Sequence, residues 1–407
     1  MKELIKFEYR KLWNKITITA IIAMFILTTL HTVIYLNLQW RTIDKNEELV
    51  YGLKSFRALK EASEELEGKV DGIYIENLIK NYNSSYDKQY LSEHRGYLGT
   101  GGMTKYMGPN YLINYAYYGP HMSSGNDKMN LDYEFLESEE RFYKKYKEAV
   151  KEHILTVNEW NGLFPASEKQ ISILESKIEN VKTPFNIKYD QGLANLRSWY
   201  MREFPYFFIV IAFALACLYS KDSVSGVNEL TLSSFYGRKK NMKARWIAGN
   251  LLAVTTYAIF VVTLVIEHGI VGSLHGWNAS AQTFWYECLY NINIGTGLSI
   301  MMLGGLLGVL VMANIVMLLS IKTKNMKATA VLSIAIVWIF VRLSSTYSQI
   351  KLLLNPIQFK SDFLLTNYLF IGNTLVPYLV ATFILGILYI GSLSFLINKS
   401  YKKYRLN

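Results

Sequence analysis

Few residues in this chain of 407 have the types and spacing that reactive chemistry needs. His31, the pair Glu267–His268 and Arg342 are ionisable groups beside long apolar stretches, where such groups often bind or relay charge. At the edges of those stretches they can also snorkel or pair, and that structural role is the expectation here. His31 reads as a packing histidine. Gly99-Thr-Gly-Gly-Met-Thr-Lys105 has the glycines and lysine of a phosphate loop but not the G-x-x-x-x-G-K-[ST] spacing, and no such sequence occurs elsewhere. The chain is therefore expected to hydrolyse no nucleotide itself. It contains no H-E-x-x-H, G-x-S-x-G or C-x-x-C, and no cluster of metal-ligand residues is apparent, so neither an enzyme nor a metal site is expected. Asn83-Ser-Ser and Asn278-Ala-Ser match glycosylation acceptors, a pattern too frequent by chance to use.

The elements that must position these groups follow from composition. Hydrophobic residues make up 51% and charged residues 18%, and the mean hydropathy of +0.13 blends two populations. Several stretches are almost uncharged, while one block of about 160 residues is polar. This excludes a wholly soluble enzyme and a disordered chain. Two cysteines cannot form a disulfide framework. The expected fold is an all-α membrane protein of six transmembrane helices: 17–38, 204–219, 247–266, 290–321, 328–345 and 372–397. Each approaches the ~20 apolar residues a bilayer core requires. The fourth is long enough to tilt, bend or include a re-entrant end. Cys217 and Cys288 fall at opposite faces and should not pair.

Six spans place both termini on one side. The segments sharing that side (1–16, 220–246, 322–327 and the tail) carry eighteen Lys and Arg against Glu3, Glu8, Asp222 and Glu229 alone. The remainder of the chain is slightly acidic although the whole is +11. This asymmetry predicts cytoplasmic termini in a plasma membrane. The cations flank spans and do not cluster on a soluble domain, so a nucleic-acid partner is not expected. The organisation is then an N-terminal helix and first span (1–38), an extracellular domain (39–203), and a five-span domain (204–407) with a cytoplasmic loop at 220–246. The first stretch is too long for a signal-peptide core and is taken as a retained span.

The extracellular insert should be mainly helical. Leu49, Leu53, Phe56, Leu59 and Leu66 recur at helical steps. Residues 71–130 hold ten tyrosines, read as packing around a small core rather than as a recognition surface. Residues 131–182 return to helix, with a break at Pro165, a new start at Ser167 and an end at Thr183-Pro184.

The loop 220–246 carries the functional argument. It reads as a short amphipathic helix joined by a Gly/Ser corner to the third span, with an apolar and a charged face. At the N-terminus, Ile5, Tyr9, Leu12, Trp13 and Ile16 share one side of a helix, with Lys6, Arg10 and Lys11 placed for lipid headgroups. Gly304-x-x-x-Gly308, near Gly297 and Gly305, should allow close approach of the fourth span to a neighbour, expected within the same chain.

The spacing of Asp222, Gly226, Leu230, Leu232, Ser233, Arg238 and Arg245 resembles the coupling loop of type-2 ABC-transporter permeases: an acid, Gly four on, an apolar run, Ser, Arg and a later basic residue. The chain departs at Phe235, where that family often has Pro. The six-span layout and a large first external loop are also similar. The resemblance implies an exporter's transmembrane subunit that pairs with a second permease, identical or related, above cytosolic ABC ATPase subunits. It also implies that ATP and Mg are bound in those partners and not here, and that Asp222, Glu229 and their neighbours receive the ATPase's motion. The spans offer apolar, aromatic and Gly-rich faces without buried acids away from their ends. That suits an amphipathic peptide or lipid-like cargo better than an ion, and disfavours a secondary transporter. The high Lys, Asn, Ile and Tyr content is consistent with a bacterial source. The alternative is a membrane sensor or scaffold whose extracellular domain binds a ligand.

Overall fold

In a computed structural model, the described residues are 1–39, 41–44, 46, 48–64, 67–77, 138–160, 166–224, 240–343 and 353–402. The described residues are mostly helical, and six of the helices are long and apolar enough to cross a membrane, which fits an all-α membrane protein. In chain order the elements are α1 (Lys2–Leu12), α2 (Lys15–Gln39), β1 (Arg41–Ile43), β2 (Leu49–Tyr51), α3 (Leu53–Glu64), β3 (Gly68–Lys69), α4 (Glu139–Trp160), α5 (Glu168–Glu179), β4 (Asn186–Ile187) and α6 (Gln191–Val224). They continue with α7 (Met242–Gly272), α8 (Ile294–Thr323), α9 (Met326–Leu343), a 3-10 turn (Pro356–Lys360), α10 (Phe363–Thr366), β5 (Tyr368–Ile371), β6 (Thr374–Pro377) and α11 (Tyr378–Lys402). The candidate spans lie in α2, α6, α7, α8, α9 and α11.

Local chemistry sets the breaks. Asn14 caps α2, its Oδ1 accepting from the N–H groups of Ile16 and Thr17 at 2.9 and 3.1 Å. Ser167 and Gln170 form a capping box at the start of α5, so the expected restart after Pro165 is present. That helix stops at Glu179, four residues before Thr183. Lys324 takes a left-handed conformation after α8, and the Asn325 side chain accepts from Lys327 and Ala328 to open α9. The last span is corrected at its start. Residues 372–377 belong to the β5–β6 hairpin, because Gly372 at φ +56 supplies its turn and Tyr368–Ile371 pairs with Thr374–Pro377. The helix begins only at Tyr378.

The second crossing helix is longer than its apolar core. The residues before Phe204 are polar but keep helical spacing, with Leu193, Leu196, Trp199 and Tyr200 buried among neighbouring helices. So α6 runs unbroken through 203–204, and its apolar window is the most buried of the six. Around it Tyr200, Phe204, Phe207, Phe208, Tyr257 and Phe260 form an aromatic core, with Phe207 stacked on Phe260 at 5.2 Å.

The glycine pair of α8 meets a neighbour in the same chain. A Cβ on Gly304 would overlap the Phe359 carbonyl oxygen, and one on Gly308 the Pro356 carbonyl oxygen. The 3-10 turn between α9 and α11 thus lies against the middle third of α8, where only glycine leaves room for its backbone.

The insert has its own core: Phe142, Tyr146, Val150, Ile154, Leu174, Ile178 and Phe185, joined by Tyr368 of the hairpin. Tyr74 packs against it, while Tyr82, Tyr86, Tyr90 and most of the tyrosine block lie outside the described residues. Cys217 and Cys288 are not joined in a disulfide.

Candidate functional site

Of the expected coupling residues, Asp222 lies in the last turn of α6. Gly226, Glu229, Leu230, Leu232, Ser233 and Arg238 lie outside the described residues. What the structure describes is how the two helices flanking 225–239 are held.

Arg245 is the fourth residue of α7 and is 2% exposed. Its Nε lies 3.4 Å from Oε1 of Glu8 on α1, itself 4% exposed. The Arg245 guanidinium also lies 5.9 Å from the ring of Tyr219 near the end of α6, and that ring meets Tyr401 near the end of α11 edge-on at 5.8 Å. With its amide oriented to suit, Asn241 bridges Glu8 and Arg245. One buried ion pair thus joins the N-terminal helix to the start of the third span, beside the end of the second. A charge pair at this depth keeps its place only while both partners are present, since losing either strands the other away from water.

Further bonds fix the same ends. Ser320 Oγ on α8 donates to the Ala216 carbonyl of α6 at 2.9 Å and accepts from the Tyr219 and Ser220 N–H groups. Trp246 Nε1 donates to Asn314 Oδ1 at 2.6 Å, and Asn314 donates on to Asn250 at 2.9 Å. Of the expected interfacial residues, Leu12 is buried, Tyr9 bonds Thr255 Oγ1 at 3.0 Å, Trp13 meets Tyr9 edge-on, and Ile5 is half-buried. So α1 is packed on α7. The two helix ends that flank 225–239 are thus rooted in the bundle.

A second polar cluster lies at the opposite ends of α2, α6 and α7. His31 Nδ1 is 2.9 Å from Glu203 Oε1, and its ring stands edge-on to Trp199 at 4.4 Å. Glu267 accepts from Thr29 at 2.5 Å and from Thr32 at 3.4 Å. His268 is 3% exposed and borders a cavity of about 10 Å³ with Thr32, Tyr35, Asn195 and Trp199, space for about one water molecule. The Arg342 guanidinium lies over Trp338 at 5.0 Å. The expectation of no buried acids away from the span ends did not foresee Glu203, 7% exposed in the first half of α6 and one residue before its apolar run. It escaped notice because the apolar run begins one residue later, whereas the helix begins twelve residues earlier. Glu8, by contrast, was legible as a charge within the apolar stripe of α1, three residues after Ile5 and four before Leu12.

Between insert and membrane bundle, Glu67 binds His275 Nε2 at 2.9 Å and the Tyr189 N–H at 3.1 Å. Burial raises the Glu67 pKa, but hydrogen bonds from His275 and Tyr189 outweigh it and hold the carboxyl below its ordinary value. A groove of about 960 Å³ on the insert is lined by alternating charges that include Glu139, Lys144, Lys147, Lys151, Glu175 and Glu179. Lys147 pairs with Glu179 and Lys151 with Glu175, both at 2.5 Å. Among the described residues no group of three or more His, Cys, Asp or Glu could hold a metal ion. No family model, curated protein or solved structure matches the chain.

Proposed function

We propose that this chain is the permease subunit of an ATP-driven exporter in a bacterial plasma membrane. Cytosolic ABC ATPase subunits, holding ATP and Mg, push on the connection between α6 and α7. A second permease, identical or related, completes the membrane path. The cargo is an amphipathic or hydrophobic molecule, a toxic or antimicrobial peptide first and a lipid or drug next. The observation that carries this reading is the rooting of both ends of 225–239: Tyr219 and Arg245 are tied to α1, α8 and α11 by buried contacts, so force applied between them has a path into the spans. The sequence pattern through Asp222, Gly226 and Arg238 supports it. Binding energy released at such a connection can bias a two-state packing of helices.

The test is affinity purification of the full chain from its native membrane, followed by identification of its companions and measurement of nucleotide hydrolysis. The expected result is a co-purifying ATPase whose coupling to export fails in Asp222→Lys and Glu229→Lys while the chain still folds. An assembly with no nucleotide-hydrolysing companion would refute the proposal.

A second reading, a membrane sensor or scaffold, is favoured by the insert's separate core and its charged groove. It predicts a signalling partner in the same purification, and no ATPase.

A further inference from the structure

Pro205 stands inside α6, and a proline has no N–H to give to the carbonyl four residues back, that of Met201. In a helix packed on most sides, such an oxygen needs another donor. It has one: Nζ of Lys360 donates to the Met201 carbonyl oxygen. Lys360 is 4% exposed. Its Nζ is 3.7 Å from the Met201 sulfur and 5.3 Å from the centre of the Phe204 ring. The partners are matched, since an amine buried without an acceptor and a carbonyl buried without a donor are each unfavourable.

Lys360 ends the 3-10 turn whose Pro356 and Phe359 carbonyls rest on Gly308 and Gly304 of α8. The same segment continues to Asp362, which accepts from Trp285 Nε1 at 2.7 Å and lies 4.0 Å from Arg197 Nε of α6. Residues 356–362 are therefore seated on α8 by glycine contacts and tied to α6 at the one backbone oxygen that proline released.

We propose that Lys360 is a positioning residue that fastens residues 356–362 to α6 at Pro205, so that bending of α6 there and unseating of these residues from α8 are one event. The use of this fastening in a transport cycle rests on the export reading; its geometry does not. In that cycle, movement at the cytosolic end of α6 would free the segment deep among the spans.

The test uses the purified full-length chain and four versions: wild type, Lys360→Met, Pro205→Ala and the double variant. Each is also made with Ser361→Cys as a reporter, because Ser361 is 1% exposed and thiol for hydroxyl changes little volume. Labelling of Cys217 and Cys288 in chains without the reporter is subtracted. Lys360→Met should lower the melting temperature by several degrees and speed maleimide labelling at 361 at least fivefold. Pro205→Ala gives Met201 a helical partner, frees Lys360 and should also speed labelling. The double variant should recover melting temperature, since neither orphan remains, yet keep the fast labelling, a separation that a purely structural role for Lys360 would not produce. Additive losses of stability, or equal labelling in all four chains, overturn the inference. None of these measurements requires an ATPase, so the inference and the export reading fail separately.

Discussion

The ion pair between α1 and α7 allows a quantitative test. Glu8→Ala removes one partner and leaves Arg245 2% exposed beside the Tyr219 ring. At 3.4 Å the attraction is about 5 kcal/mol with an effective dielectric of about 20, part of it offset by the desolvation of both groups. Breaking a buried pair from one side costs about 3–5 kcal/mol, because the remaining charge is stranded. Glu8→Gln keeps an acceptor and should cost less. The double variant Glu8→Leu/Arg245→Met removes both charges and should return stability to near or above that of the native chain. The measurement is reversible unfolding of the full chain in lipid nanodiscs for the native protein, these variants and the single variants Glu8→Leu and Arg245→Met. A loss of less than about 1 kcal/mol in Glu8→Ala, the range of a solvated pair, would refute the reasoning, as would a double variant whose loss is the sum of the single ones.

Other expectations follow from named contacts. Gly304→Ala and Gly308→Ala should each cost about 3 kcal/mol or more in the same assay, because the new methyl meets backbone carbonyls. Gly391→Ala in α11 meets nothing within 4 Å and should be neutral or stabilising by up to about 1 kcal/mol, so an equal loss at all three sites would contradict the packing described. The Glu67 carboxyl, held below its ordinary pKa, stabilises the junction between insert and bundle above the ordinary carboxylate range, and this is lost as pH falls through the lowered value. Protease sensitivity of the insert should therefore rise in acid, and His275→Ala should diminish the acid-dependent step. Burial pushes the Cys288 thiol up to about 12, so it should resist thiol reagents at pH 8 in the folded chain and react once unfolded.

How far the sequence could be read depended on the range of the interaction. Long uncharged runs, apolar residues at helical spacing and capping residues are one-dimensional signals, and the six helices long and apolar enough to cross a membrane, the N-terminal amphipathic helix and the restart at Ser167 follow from them. The close approach at Gly304 and Gly308 was visible as a small-residue repeat, but its partner was not, because the 3-10 turn lies about fifty residues away in sequence. The length of α6 was hidden by polar residues whose burial depends on neighbouring helices. Glu203 and Lys360 were invisible for the same reason: an isolated ionisable group has no pattern until the fold brings it to His31 or to the carbonyl freed by Pro205.

The β5–β6 hairpin has a consequence for biogenesis. Tyr368 is built into the insert's hydrophobic core, with Phe370 and Leu375 packed against it, although these residues are synthesised long after Phe142, Tyr146 and Phe185. That core therefore cannot be completed until the hairpin has been made, and until then the apolar site that this ribbon fills lacks its partner. Completion of the insert's core is thereby timed to synthesis of the hairpin, and a chain halted before it would carry an exposed aromatic surface that cellular quality control can recognise.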